Sequence, residues 1–352
     1  MTAPAPEFAA AFAIGATQFE TTRIDAATRR EFLIGSVALA ALLAGCSSGD
    51  EQASDDGAAG DGYPRTIVDD AGESVVIDRR PQRVACVANL WDLDTVLALG
   101  VVPVQFGVRE GFAEMIGAPD KSWEWHENAL TELGGSSERI SLGESIDTER
   151  IAAAEPDLII GDDGVADSRS QLESLAPVVQ IAYFDWRRNL QMIGDALDRP
   201  DRADELIADT EARMSAALEG LDVAGATVGL IAAYDTSMFY GLGHESIPAV
   251  DLFRRAGFTT VAALSDGATA DAPRPEFSAE NADILADADV LVVFDFGSAG
   301  IVDTGLFTSL PSVAAGRVVV LEQGEVAQGF STLSPLNLDI CIDVVRRAAE
   351  LL

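Results

Sequence analysis

The residues that could do chemistry are sparse in this chain, and their spacing argues against catalysis. Two histidines, His126 and His244, are too few for a metal site built from clustered imidazoles. Three cysteines, Cys46, Cys86 and Cys341, make no disulfide framework. Asp295-Phe296-Gly297 has the letters of a kinase metal motif. No glycine-rich phosphate loop accompanies it, and the sole lysine, Lys121, is far from any strand resembling a nucleotide site. Gly241-Leu242-Gly243 lacks the third glycine of a dinucleotide loop. An exported enzyme is therefore a remote alternative. What remains is a set of arginines and aromatic rings placed just after short β-branched runs. In the first half these are Asn89 and Trp91, Arg109, Asp162 and Asp163, and Phe184 with Trp186, Arg187 and Arg188. In the second half they are Tyr234, Met238, Phe239 and Tyr240, then Phe296, and Phe330 with Ser331. Aromatic residues are only 7% of the chain, so their gathering at such positions is informative. Apolar walls with a few placed charges suit a non-covalent ligand pocket.

These positions form one site if the runs are strands of mostly parallel sheets, whose carboxyl ends face ligands. Runs at Arg83–Val87, Val102–Val108, Asp157–Gly161 and Val178–Phe184 alternate with helical patterns at Leu90–Leu99, Thr148–Ala154 and Ser170–Leu175. The second half repeats the scheme, with strands at Thr227–Tyr234, Thr259–Ala263, Val290–Phe294 and Arg317–Leu321. Its helices are expected at Ile247–Ala256, Ala279–Asp287 and Leu336–Leu351. The result is an α/β fold of two lobes. Between them, after Pro200, the residues Ala203, Leu206, Ile207, Thr210, Met214, Ala217, Leu218 and Leu221 recur at helical spacing. At ~1.5 Å per residue, a helix from Pro200 to Leu221 spans on the order of 33 Å. It can lie along both lobes and leave a cleft between them. The lobes also echo each other. Asp147-Thr148-Glu149 before Pro156-Asp157-Leu158 is matched by Ser278-Ala279-Glu280 before Ala288-Asp289-Val290. Each is a capped short helix feeding a buried strand, with a Glu in the first turn where the helix dipole favours a carboxylate.

Fifty-eight acidic residues against 23 basic ones give a net charge of -35, which makes nucleic acid and anionic lipid poor partners. Near the start, Arg29-Arg30 before Phe32-Leu33 resembles a twin-arginine export signal. The apolar run that follows is too short to span a membrane and suits a signal peptide. It ends in Leu43-Ala44-Gly45-Cys46, which resembles a lipobox: in that pattern cleavage precedes Cys46 and its thiol takes a diacylglycerol. The expected organisation is a signal peptide over 1–45, an acidic tether over 46–62, a first lobe over 63–199, the inter-lobe helix over 200–221 and a second lobe over 222–352. The folded part would stand outside the cytoplasmic membrane, held to its outer face by lipid. Cys86 and Cys341, in apolar patterns, are expected to be buried free thiols.

From Thr66 onward the chain resembles the substrate-binding proteins of ABC importers for ferric siderophores, vitamin B12 and haem. The matching segments are Thr66-Ile67-Val68-Asp69-Asp70-Ala71-Gly72, Pro81-Gln82-Arg83-Val84-Ala85, Pro156-Asp157-Leu158-Ile159-Ile160, Leu175-Ala176-Pro177-Val178-Val179 and Leu310-Pro311-Ser312-Val313. The resemblance implies two Rossmann-like lobes joined by one long helix and a monomer that performs no chemistry. It implies capture of a ferric siderophore for import, with cobalamin and then haem as alternative ligands. Iron would enter only as part of the bound complex, with no cofactor of the protein's own. It also implies docking onto the permease dimer through one Glu on each lobe, the positions matched by Glu149 and Glu280. Trp91, Arg109, Trp186, Arg187, Arg188, Tyr234, Phe239, Tyr240, Phe296 and Phe330 are the expected ligand contacts. The arginines would meet the complex's anionic oxygens. Trp123 and Trp125 fit a lobe edge or a pocket rim equally.

Overall fold

The computed structural model describes residues 62–109, 113, 122–142, 146–223, 225–270, 272–295, 300–322 and 325–352. The signal segment, Cys46 and Phe296 lie outside these residues, as does the tether up to residue 61.

A hairpin of β1 (Arg65–Val68) and β2 (Ser74–Ile77) precedes the first lobe. That lobe is built on β3 (Val84–Cys86), β4 (Gln105–Arg109), β5 (Glu138–Leu142), β6 (Leu158–Gly161) and β7 (Val178–Gln180). They form an all-parallel sheet in the order β5-β4-β3-β6-β7. The second lobe holds β8 (Thr227–Ala233), β9 (Met238–Gly241), β10 (Thr259–Thr260), β11 (Glu276–Ser278), β12 (Val290–Asp295) and β13 (Val318–Glu322). Its order is β11-β9-β8-β12-β13, with β10 pairing the start of β8. β9 and β11 run antiparallel to their neighbours. All of β6 and β12 is buried, as strands covered on both faces require.

The echoed sequences have a physical purpose in these sheets. The Asp157 carboxylate accepts the backbone N–H groups of Gln82 (2.9 Å) and Arg83 (2.7 Å), tying the start of β6 to that of β3. Asp289 does the same in the other lobe, accepting from Thr227 N at 2.8 Å. Asp147 and Ser278 cap the turns that carry Glu149 and Glu280. The second of these, Ala279–Leu285, is a 3-10 helix with Asn281 out of helical geometry, where an α-helix was expected.

The inter-lobe helix is Pro200–Leu218, burying Ala203, Leu206, Thr210, Met214 and Leu218 on one face. It stops three residues before the periodicity does: Glu219 is extended and Gly220 turns the chain at φ +78, a conformation that favours glycine. It packs on the Trp186–Ala196 helix of the first lobe and on the Pro248–Arg255 and Leu338–Glu350 helices of the second.

Candidate ligand cleft

In each sheet the chain reverses its winding direction beside the first parallel strand, and the crevice lies at the carboxyl ends of that strand and its neighbour. In the first lobe this brings together residues following β3, β4 and β6. Asn89 and Leu90 have positive φ (50° and 84°), a costly conformation for a leucine. The turn they make lets the buried Asn89 Oδ1 accept from Arg109 N at 2.7 Å, locking the end of β4 to that of β3. The Arg109 guanidinium lies 3.3 Å from both carboxylate oxygens of Asp162, at the end of β6. Burial pushes the Asp162 carboxyl up, and Arg109 opposes the shift.

β7 was expected to reach Phe184 but ends at Gln180. The reason is local. Asn189 bonds both the N–H and the C=O of Ala182 (2.9 and 2.8 Å), satisfying the backbone without a sheet partner, and Asp185 caps the following helix. Tyr183 and Phe184 are thereby lifted off the sheet. Tyr183 packs on Trp91 with ring centroids 4.9 Å apart. From the second lobe Tyr234, just past β8, meets Tyr240 of β9 edge to face at 5.9 Å. Arg274, held between Pro273 and Pro275, reaches across the lobes to lie 5.8 Å from the Tyr183 ring and 5.5 Å from that of Phe184. Burial raises the phenol pKa of both Tyr183 and Tyr234, keeping them neutral hydrogen-bonding groups.

Alongside lies a cavity of about 460 Å³, within the range of small-molecule sites. Tyr183, Phe184, Trp186 and Arg187 line it from the first lobe, Met214 from the inter-lobe helix, and Glu245, Asp251 and Ala270 from the second. Trp186 is stacked under the Arg187 guanidinium at 4.4 Å, and Arg187 is paired with Glu211 of the inter-lobe helix.

Several expected contacts are placed elsewhere. Phe239 is fully buried among Phe277 and Phe307 in the second lobe's core. Phe330 is fully buried against Phe253 and Phe294, so neither ring has surface to offer a ligand. Arg188 points to the hairpin, 3.4 Å from the Asp70 carboxylate and bonded to Asp69 O at 3.2 Å, and does not line the cavity. Cys86 and Cys341 are buried and free.

Tyr183 and Arg274 went unread in the sequence. The cap at Asp185 and the Pro-Arg-Pro string were their available signals. Also unread was a buried polar node joining the lobes. Asp94 Oδ1 accepts from Trp125 Nε1 and from Ser334 Oγ, each at 2.9 Å, and lies 3.1 Å from His126 Nε2. His126 in turn meets Ser122 Oγ at 2.6 Å. The serine, histidine and aspartate here are sealed from solvent and serve packing. Trp123 stacks on Trp125 in the same buried region, so both are structural rather than rim residues.

Two α/β lobes on one rigid helix, with an aromatic cleft at the strand ends, define a two-lobed solute-binding protein. The chain belongs to the periplasmic binding protein family, whose match covers residues 110–324. It is 28% identical over 180 residues to the probable siderophore-binding lipoprotein YfiY of Bacillus subtilis, a match taking in 49% of this chain and 50% of that one. The chain thus spans about half the length of the curated relative it matches. Among solved structures it resembles Streptococcus pneumoniae PiaA in complex with ferrichrome, at 26% identity and TM-score 0.66, over 80% of this chain and 99% of that one. It also shares the fold of Staphylococcus aureus FhuD2 with bound ferrioxamine B, at 21% identity and TM-score 0.60, over 77% and 99% of the two chains.

Proposed function

We propose that the protein captures a ferric siderophore outside the cytoplasmic membrane and hands it to the permease of an ABC importer. The observation that carries this is the cleft itself. Tyr183 and Phe184 of one lobe meet Arg274 of the other, whose Tyr234 packs on Tyr240, and Tyr183, Phe184 and Trp186 line a cavity large enough for a small molecule. Rings supply apolar walls, while the phenols and guanidinium supply donors to ligand oxygens, so binding needs no covalent step. The PiaA and FhuD2 structures support the siderophore reading through the ligands they hold. Tryptophan-quenching titrations against ferric siderophores, cobalamin and haem test it. Saturable quenching by a siderophore is expected, and binding of cobalamin or haem alone would replace the reading.

Delivery requires an anchor and a docking face. Glu149 and Glu280 are both exposed in the first turn of the two echoed, capped helices, one on each lobe, which supports a paired role in gripping a permease dimer. Glu149→Arg or Glu280→Arg should abolish uptake with ligand affinity unchanged; lost affinity in a folded variant would place these residues in the binding site instead. The lipobox at Cys46 supports attachment to the membrane's outer face, and Cys46→Ala should move the protein from the membrane fraction to the soluble one. Retention on the membrane would count against lipid anchoring.

A further inference from the structure

We propose that the cleft sorts ferric complexes by charge, taking neutral or cationic tris-hydroxamates and rejecting anionic tris-catecholates. This rests on the siderophore reading above and reverses the expectation that the arginines await anionic oxygens. Each expected arginine has a carboxylate on it already. Arg109 lies 3.3 Å from Asp162, Arg187 is paired with Glu211, and Arg188 is 3.4 Å from Asp70. Asp162 is 2% exposed, so turning Arg109 toward an anion would strand a buried carboxylate. The cavity wall itself carries Asp185, Glu245 and Asp251 against Arg187; of these acids Asp251 is paired with Arg254 and Arg255, and Glu245 lies 3.5 Å from Arg254.

A second observation points the same way. The cleft rings already hold cations on their faces: Arg187 at 4.4 Å over Trp186, and Arg274 within 5.8 Å of Tyr183 and 5.5 Å of Phe184. Ring faces are electron-rich and attract positive groups. Three monoanionic hydroxamates cancel the charge of ferric iron, and an added ammonium leaves such a complex cationic. Three dianionic catecholates leave three negative charges on the complex. Arg274 can donate to a hydroxamate oxygen, but one guanidinium cannot offset that excess in a protein of net charge -35.

The test is a fluorescence titration with ferrioxamine B as the cationic tris-hydroxamate, ferrichrome as the neutral one, and a hexadentate ferric tris-catecholate. The hydroxamates should bind about a hundredfold or more tightly than the catecholate, as unfavourable charge juxtaposition dictates. Added salt should weaken ferrioxamine B and spare ferrichrome. The double variant Asp185→Asn, Glu245→Gln, in which Asn can still cap the helix, should narrow the gap several-fold. Catecholate binding as tight as hydroxamate binding would overturn the proposal while leaving the siderophore reading intact. So would a preference for ferrioxamine B indifferent to both salt and the double variant. Binding of no siderophore at all would remove both readings.

Discussion

Asp92, 1% exposed at the start of the Trp91–Ala98 helix, accepts from Ala88 N at 2.8 Å and takes a hydrogen bond from the Cys86 thiol. Burial raises its carboxyl from 3.8 to about 7. A raised carboxyl means that the folded state holds its proton where the unfolded chain has released it, so this group's stabilisation is complete below pH 3.8 and is lost as pH rises towards about 7. Asp92→Asn should therefore flatten the fall in melting temperature across that window relative to wild type. Parallel curves for the two proteins would show that Asp92 is ionised at no cost. Residues such as Asp92 and Asp94 were illegible in the sequence because nothing in their spacing says which carboxylates will be buried. Tyr234 was legible because it directly follows a long apolar strand. Phe239 was misplaced for a reason of period: on β9 alternate residues face opposite ways, so Phe239 and Tyr240 cannot both reach the cleft. Burial in β9 alternates accordingly, with Phe239 sealed and Tyr240 half-buried.

At the scale of elements, long periodic or wholly apolar segments were readable, and short ones held by side chains were not. β8, β12 and the inter-lobe helix fall where apolar runs and helical spacing put them. β5, β9 and β11 carry weaker patterns and depend on neighbours for their pairing. The end of β7 depends on Asn189, seven residues from the Ala182 it satisfies. The hairpin motif around Asp69 shows what a recognisable string encodes. Its fully buried carboxylate meets Arg169 at 2.8 Å, Glu73 N at 2.9 Å and Gln180 N at 3.2 Å, fastening the hairpin to the edge of the first sheet. Such a string can be matched in sequence while its partners, a hundred residues away, stay hidden.

At the scale of the molecule, the question is how far the lobes can close on a ligand. Hinged binders close by tens of degrees through a few flexible linker residues. Here the linker is a continuous helix with no glycine from Pro200 to Glu219, and bending it would break backbone hydrogen bonds. It is fastened to both lobes, through Glu211 to Arg187 on the first and through Arg213 to Asp339, 3.0 Å apart, on the second. The Asp94 node adds a second, buried inter-lobe tie through Ser334, and opening it would leave polar groups unpaired inside the protein. Arg274 already spans the cleft over Tyr183 and Phe184, so the donors a ligand needs are in place before it arrives. Loading should therefore change the radius of gyration by less than about 1 Å, the scale of pre-organised complexes. X-ray scattering of the ligand-free protein and its siderophore complex measures this directly. A contraction of several ångströms would show that the helix and the Asp94 node yield together, and would shift the origin of affinity from a preformed cleft to domain closure.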